Sequence, residues 1–334
     1  MTEKRINQRP LLGLLTTGGT IAGAGKSPDQ TLGYRAGVHG AAELLAAVPA
    51  LSSIARFRTE AVASVDSKDI TDAIWRDLAR RAKKMLADPA LTGVIITQGT
   101  DTLEETAYFL SLTLPWEKPV ILTGAMRPAS AMSADGPANL FNAVRLALSK
   151  KTQGRGVLVT MNDDIFTAAT VTKRDTYRKN AFSGGTRGAV GRIVGDDILF
   201  SCPAAPAPLT FPIPDAPLAP VVILYGCAGD DGTLLRAALA LGVRGIVYAG
   251  AGMGSIPAPV ERELRAAGEK GIAVVRASRL PEGFVPLEGA AFDASPFLSS
   301  GALSPVKARI LLQCALAQKT PLPSLEAIFR KANE

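Results

Sequence analysis

The chain has 334 residues, of which 47% are hydrophobic and 20% charged, so it is long enough for one large and one smaller globular domain. Aromatic residues make up only 5%, which disfavours a stacking platform for single-stranded nucleic acid. The net charge of +7 comes from basic residues in short scattered groups such as residues 80–84, which are typical of a solvated helix face. We therefore expect no nucleic-acid partner.

The cysteine and histidine content argues against disulfides and metal sites. Cys202, Cys227 and Cys314 lie far apart without C-x-x-C spacing, which favours a reducing compartment. The single histidine, His39, has no cysteine or carboxylate partners nearby, so we expect no metal and no cofactor. No apolar stretch approaches the roughly 18 residues that a membrane span needs, so no membrane association is expected.

The first 200 residues alternate apolar runs with helix-like periodicity, which predicts an α/β domain with a doubly wound, mainly parallel sheet. Strands are predicted at residues 11–16, 57–65, 93–97, 119–123 and 156–160. Helices are predicted at residues 40–47, 69–87, 103–112 and 137–149. Asp69 is expected to cap the second helix, and Asp101 or Thr102 the third.

Seven prolines between residues 202 and 221 exclude helix and disfavour a central strand, so residues 201–220 are predicted to be a linker. The linker separates an N-terminal domain of residues 1–200 from a smaller C-terminal α/β domain of residues 221–334. In the latter, strands are predicted at residues 221–225, 245–248 and 272–275. Helices are predicted near residues 231–241, 258–269, 304–317 and 323–331.

Two threonine-rich turns follow two of the predicted strands. Residues 16–23 read TTGGTIAG and residues 97–102 read TQGTDT. Ligands bind at the carboxyl ends of parallel strands, so Thr20 and Thr100 suggest a single site. A threonine hydroxyl attacks a carbonyl only when a neighbour removes its proton. Tyr34 as a proton relay and Lys173 as a base are candidates, and a purely structural role for either is the alternative.

Five strings carry a resemblance to a known family: residues 17–23 (TGGTIAG), 99–107 (GTDTLEETA), 124–128 (GAMRP), 133–140 (SADGPANL) and 171–173 (VTK). They resemble, in order, the bacterial-type (class 1) L-asparaginase and glutaminase-asparaginase family, from about residue 11 to the C-terminus. The resemblance implies a larger N-terminal and a smaller C-terminal α/β domain. It also implies a homotetramer built as a dimer of dimers, in which the neighbouring subunit's C-terminal domain completes each active site.

The resemblance assigns catalytic roles to five residues. Thr20 corresponds to the nucleophile, Tyr34 to its hydrogen-bonded activator on a mobile flap, and Thr100, Asp101 and Lys173 to a second cluster. It implies attack of Thr20 on the side-chain amide, loss of ammonia, and hydrolysis of the acyl-enzyme by water. Direct attack by a water that Thr100 orients remains the alternative.

The substrate-binding residues that the resemblance implies are Gly19, Ser67, Gly99 and Ala125, together with Thr100 and Asp101. Backbone donors near Thr100 and Ala125 would hold the oxyanion. Ser67 corresponds to the serine that meets the α-carboxylate of the substrate, and Asp101 to the acid that meets its α-ammonium.

Three departures from the family pattern concern the α-amino end of the substrate. Lys68 stands where the family usually has Gln or Glu, and Met253 where secreted members commonly have Asn. Ala290 falls where the family's acidic partner-subunit residue is expected, with Glu288 two positions earlier. These changes predict intact amide cleavage with weaker recognition of the α-ammonium, unless Lys68 extends into solvent and a loop shift restores Glu288.

The leading prediction is an L-asparaginase that acts without a cofactor on L-asparagine, with a weak glutaminase activity. The alternatives are an amidohydrolase of the same fold for amides that lack a free α-ammonium, and a non-catalytic amino-acid-binding relative. We expect a cytoplasmic location, with the periplasm as the alternative if a leader has been removed.

Overall fold

Strands of the N-terminal half form one eight-stranded sheet. A computed structural model describes residues 9–204, 209–286 and 296–334. The first ten strands along the chain, eight of which form this sheet, are β1 (Leu11–Gly18), β2 (Arg56–Val65), β3 (Leu91–Thr97), β4 (Val120–Thr123), β5 (Val157–Met161), β6 (Asp164–Thr167), β7 (Thr172–Lys173), β8 (Phe182–Ser183), β9 (Gly191–Val194) and β10 (Asp197–Phe200). The sheet order is β10-β9-β6-β5-β4-β3-β1-β2, with β7 and β8 paired separately.

Strand direction divides this sheet into a parallel and an antiparallel part. Neighbouring strands from β2 to β5 run parallel, whereas β6, β9 and β10 pair antiparallel. The parallel part confirms the predicted fold class. The antiparallel part was not predicted, because strands of only four residues are too short for a period-2 pattern to stand out from loop sequence.

Helices cover both faces of the parallel strands. They are α1 (Ala41–Ala46), α2 (Leu51–Ile54), α3 (Asp72–Ala87), α4 (Leu103–Ser111) and α5 (Gly136–Leu148). Residues of α1, α2 and α5 share one buried apolar cluster with β1, β3, β4 and β5. Trp75 of α3 stacks on Phe109 of α4, with ring centroids 5.4 Å apart. Burial of these apolar faces is the main stabilising contribution to the unit.

The predicted cap of the second long helix was wrong. Asp69 lies in a short 3₁₀ turn, Ser67–Asp69, and the N-cap of α3 is Thr71, whose hydroxyl accepts a hydrogen bond from the Ile74 N–H at 3.3 Å. Thr102 is the N-cap of α4, but its hydroxyl donates to the Ser67 carbonyl at 2.7 Å instead of capping the helix.

A second, smaller parallel sheet forms the C-terminal unit. Its strands are β11 (Val221–Tyr225), β12 (Gly245–Gly250), β13 (Ala273–Ser278) and β14 (Leu298–Ser299), in that order. Its helices are α6 (Thr233–Ala240), α7 (Ala258–Glu269), α8 (Pro305–Ala317) and α9 (Leu322–Lys331). The chain divides into units Met1–Ala207 and Pro208–Glu334, a boundary inside the proline-rich segment.

The register of the parallel strands brings three strand ends side by side. Thr16 of β1 pairs with Thr97 of β3, which pairs with Thr123 of β4. The turns that begin at Gly18, Gln98 and Gly124 therefore leave the sheet next to one another. Both threonine-containing turns predicted from the sequence emerge at this edge.

Candidate active site

The turn after β1 presents the first hydroxyl. Gly19 has a φ of 82°, in the left-handed region that favours glycine, and its N–H donates to the Val65 carbonyl of β2 at 3.0 Å. Thr20 begins a short 3₁₀ turn directly afterwards. The Thr20 Oγ1 lies 2.7 Å from the Tyr34 hydroxyl, so these two side chains form one hydrogen-bonded pair.

Tyr34 belongs to a loop, residues 24–35, which we call the flap. Its base is closed by an antiparallel bridge between Ala24 and Arg35. Burial raises the pKa of the Tyr34 phenol above its usual value of about 10, while the hydrogen bond to Thr20 opposes that shift. Tyr34 is consequently a neutral phenol at neutral pH and can accept one proton while it donates another.

A glutamine ties the two limbs of the flap together. The Gln30 Oε1 accepts from the Lys26 N–H at 2.6 Å, and the Gln30 Nε2 donates to the carbonyls of Leu32 at 3.0 Å and Gly33 at 3.1 Å. These bonds order the backbone that leads directly into Tyr34.

A second cluster lies at the turn after β3. The Lys173 Nζ donates to the Thr100 Oγ1 at 2.9 Å and to the Asp101 Oδ1 at 2.5 Å. Thr100 is 4% exposed, and the side chains of Lys173 and Asp101 are 15% and 58% exposed. The cluster therefore combines a buried hydroxyl, a largely buried cation and a carboxylate that solvent or a substrate can reach.

The backbones of the two turns touch. A Cβ atom built on Gly19 would lie 2.1 Å from the Gly99 nitrogen, and one built on Gly99 would lie 2.8 Å from the Ser67 Oγ. No side chain larger than hydrogen fits at either position. Thr20 and Thr100, each one residue beyond these glycines, therefore follow directly from the point where the two turns meet.

Ser67 lies at the same junction and is 3% exposed. Its hydroxyl accepts from the Asp101 N–H at 3.2 Å, and its carbonyl accepts from the Thr102 hydroxyl at 2.7 Å. The structure thus brings together Gly19, Thr20, Tyr34, Ser67, Gly99, Thr100, Asp101 and Lys173.

Lys68 follows Ser67 directly, and its charge is paired with two carboxylates. Its Nζ lies 2.5 Å from the Asp69 Oδ2 and 3.9 Å from the Asp66 Oδ2, and its side chain is 65% exposed. The hydrogen bond to Asp69 raises the pKa of the Lys68 ammonium, which stays charged but is paired with neighbouring carboxylates. Of the two expectations for Lys68, this geometry favours extension into solvent.

The turn after β4 holds Ala125, which is fully buried. The Asp135 carboxylate accepts from the N–H groups of Met126, at 3.0 and 3.1 Å, and Arg127, at 2.9 Å. The Asn139 Nδ2 donates to the Gly124 carbonyl at 3.0 Å. The first turn of α5 thus fixes the backbone on both sides of Ala125.

Asp135 and Asn139 were given no function from the sequence. Both lie in a string that carries the family resemblance. The available signal was their spacing, since a carboxylate and an amide four residues apart lie on one face of a helix.

Glu288 and Ala290 are outside the described residues. Met253 lies in the C-terminal unit, after β12, with 60% of its surface exposed.

Two properties of the described ranges bear on other kinds of function. They contain no group of three or more His, Cys, Asp or Glu side chains that could hold a metal ion. No helix within them combines the length and apolar character needed to cross a bilayer.

Family models match almost the whole chain. Residues 12–205 match the model described as "Asparaginase, N-terminal", and residues 220–329 match the "Glutaminase/Asparaginase C-terminal domain".

Curated relatives match over similar lengths. "L-asparaginase 2" of Escherichia coli K12 is 41% identical, with 96% of this chain and 93% of that protein covered. "L-asparaginase 2" of Bacillus subtilis 168 is 40% identical, with 96% and 86% covered. The "Glutaminase-asparaginase" of Pseudomonas fluorescens biotype A is 38% identical, with 95% and 89% covered.

A solved structure shares the fold. The "Probable Cytoplasmic L-asparaginase" of Campylobacter jejuni has a TM-score of 0.91 and 39% sequence identity, with 97% of this chain and 100% of that chain covered.

Proposed function

This chain belongs to the asparaginase family, and from that premise we propose that it hydrolyses the side-chain amide of L-asparagine to L-aspartate and ammonia. The observation that carries the proposal is the contact between Gly19 and Gly99, from which we infer that the two hydroxyl clusters share one site. Relatives named glutaminase-asparaginase support a weaker activity on L-glutamine.

Thr20 is the nucleophile in this proposal. Its Oγ attacks the carboxamide carbon while its proton passes to the Tyr34 oxygen, 2.7 Å away. Tyr34 is neutral, so it releases its own proton toward the departing nitrogen, which leaves as ammonia. Water then hydrolyses the Thr20 ester and restores the hydroxyl.

The second cluster acts on the other reacting groups. Lys173 donates to Thr100 and is paired with Asp101, so the Thr100 hydroxyl is oriented before substrate arrives. The exposed Asp101 carboxylate offers a charge-assisted bond to the substrate α-ammonium, and Ser67 lies beside it for the α-carboxylate. Backbone N–H groups at Thr100 and Ala125 would stabilise the oxyanion.

Assembly and location follow the family resemblance in this proposal. We expect a homotetramer whose active sites are completed by the neighbouring subunit's C-terminal domain. The name of the Campylobacter jejuni protein supports a cytoplasmic location, and the Haemophilus influenzae relative named "Probable L-asparaginase periplasmic" marks the alternative.

Ammonia release tests the function across L-asparagine, D-asparagine, L-glutamine and simple β-amides. We expect one ammonia per L-aspartate from L-asparagine, and slower release from L-glutamine. Turnover of the simple amides with L-asparagine poor would replace the proposal by an amidohydrolase that does not use an α-ammonium. Release from none of the four would indicate a binding protein.

A further inference from the structure

The first limb of the flap, residues 25–28, is hydrogen-bonded to the segment after β4. The Gly25 N–H donates to the Ser130 hydroxyl at 2.7 Å, and the Met132 N–H donates to the Pro28 carbonyl at 2.9 Å. These contacts hold residues 25–28 but leave the limb that carries Tyr34 to be fixed by other groups.

The second limb of the flap, residues 31–35, carries Tyr34 and is hydrogen-bonded to a tyrosine from a different loop. The Thr31 Oγ1 lies 3.2 Å from the Tyr177 hydroxyl. The Arg127 guanidinium stacks over the Tyr177 ring, 3.9 Å from its centroid, and the Arg127 Nη1 donates to the Tyr177 carbonyl at 2.9 Å. Asp175 accepts from the Tyr177 N–H at 2.7 Å. Tyr177 is thus held at its ring and at both backbone polar groups.

We propose that Arg127 and Tyr177 form a clasp that holds the flap closed over the site and so positions Tyr34 against Thr20. The clasp rests on the proposed function, for which it supplies two positioning residues that touch no reacting atom. Tyr177 follows Lys173 by four residues, so the same contact joins the flap to the segment that carries the second cluster.

Electrostatics agrees with this placement. Burial raises the pKa of Tyr34, and the positive charge of Arg127 is close enough to oppose that rise. The Arg127 backbone is itself anchored, because its N–H donates to the buried Asp135. A rigid support of this kind can transmit the position of one loop to another.

The hydroxyl contact is tested by a double-mutant cycle with Tyr177→Phe, Thr31→Val and both together. Each single variant should lower kcat/KM for L-asparagine about two- to fivefold, the range expected for one hydrogen bond near the surface. The kcat/KM of the double variant should be no lower than that of the more impaired single variant, because both substitutions remove the same hydrogen bond. Multiplying effects would overturn the assignment.

The stacking contact is tested by Arg127→Met, with Arg155→Met as the matched control. Arg155 also stacks on an aromatic ring, Phe200 at 3.7 Å, and donates to a backbone carbonyl, that of Cys202 at 3.0 Å, but it contacts no part of the flap. Arg127→Met should lower kcat/KM about tenfold, as loss of a charge-assisted hydrogen bond and a cation–π contact implies. Arg155→Met should leave it within about twofold.

Trypsin cleavage after Lys26 and Arg35 reports flap opening without any chemistry. In ligand-free protein, Arg127→Met and Tyr177→Phe should be cut faster in the flap than wild type, and Arg155→Met should not. Equal cleavage of all four proteins would overturn the clasp. Wild-type protein that released no ammonia would refute the proposed function, while the cleavage rates would still decide the clasp.

Discussion

At the scale of single residues, each threonine hydroxyl of the proposed site has a polar partner from another segment of the chain. Thr20 meets Tyr34, and Thr100 meets Lys173. An isolated threonine hydroxyl is a poor nucleophile, so the proposed chemistry needs these pairs as well as the threonines themselves. The sequence showed the threonines as motifs, whereas Tyr34 and Lys173 were only candidates until the family resemblance gave them roles, because loop contacts have no local pattern.

Lys68 gives a residue-scale prediction. Its ammonium is paired with Asp69 and mostly exposed, so it should contribute little to substrate binding. We expect Lys68→Gln to change the Michaelis constant for L-asparagine by less than about twofold, since exposed ion pairs have small energetic effects. The measurement is steady-state kinetics beside Lys83→Gln, an exposed lysine on α3.

A different outcome would reverse this view of Lys68. A Michaelis constant that falls about tenfold in Lys68→Gln, with Lys83→Gln unchanged, would mean that the Lys68 charge faces and repels the substrate α-ammonium.

At the scale of elements, the proposed active site lies at the turns that follow three neighbouring parallel strands. Long apolar strands such as β1 and β3 were predictable, because parallel strands buried on both faces give continuous apolar runs. The short β9 and β10 were not, since their hairpin is fixed by pairing with β6, a partner distant in sequence. The support that α5 gives to the turn after β4 was not predicted, although the spacing of Asp135 and Asn139 was visible in the sequence.

That support yields an element-scale prediction. Asp135→Ala would leave the N–H groups of Met126 and Arg127 buried without their acceptor. We expect it to lower the free energy of unfolding by about 2–5 kcal/mol, since each unsatisfied buried group costs about 1–3 kcal/mol. Because Ala125 lies in the same turn, kcat/KM for L-asparagine should also fall about tenfold or more.

Urea unfolding and kinetics on the same samples check this prediction. Asp196→Ala is the control. The Asp196 carboxylate is fully exposed, so that solvent screens its ion pair with Arg145, 3.4 Å away. The control should change the free energy of unfolding by less than about 0.5 kcal/mol. An Asp135→Ala protein as stable as the control would contradict the view that Asp135 stabilises the turn after β4.

At the scale of the whole molecule, the order of elements along the chain explains why the site could be partly predicted. Alternating strands and helices fix a parallel sheet, and its strand ends then gather motifs that are about eighty residues apart. Thr31 and Tyr177 are 146 residues apart and lie in two loops, so no periodic sequence pattern predicts their contact. Composition and pattern therefore predict the sheet and the two threonine-containing turns, and the structure shows which side chains contact the two hydroxyls.

The most direct test of the account is the turnover of L-asparagine by Thr20→Ala, Thr100→Ala and the double variant. Each single change should lower kcat about a thousandfold or more with the fold intact, and the double variant should retain about the rate of the slower single variant, because residues that act as a unit are not additive. Thr59→Ala, an exposed threonine on β2, should stay near wild type. Near-normal turnover in either Thr20→Ala or Thr100→Ala would contradict the claim that the two hydroxyls serve one active site.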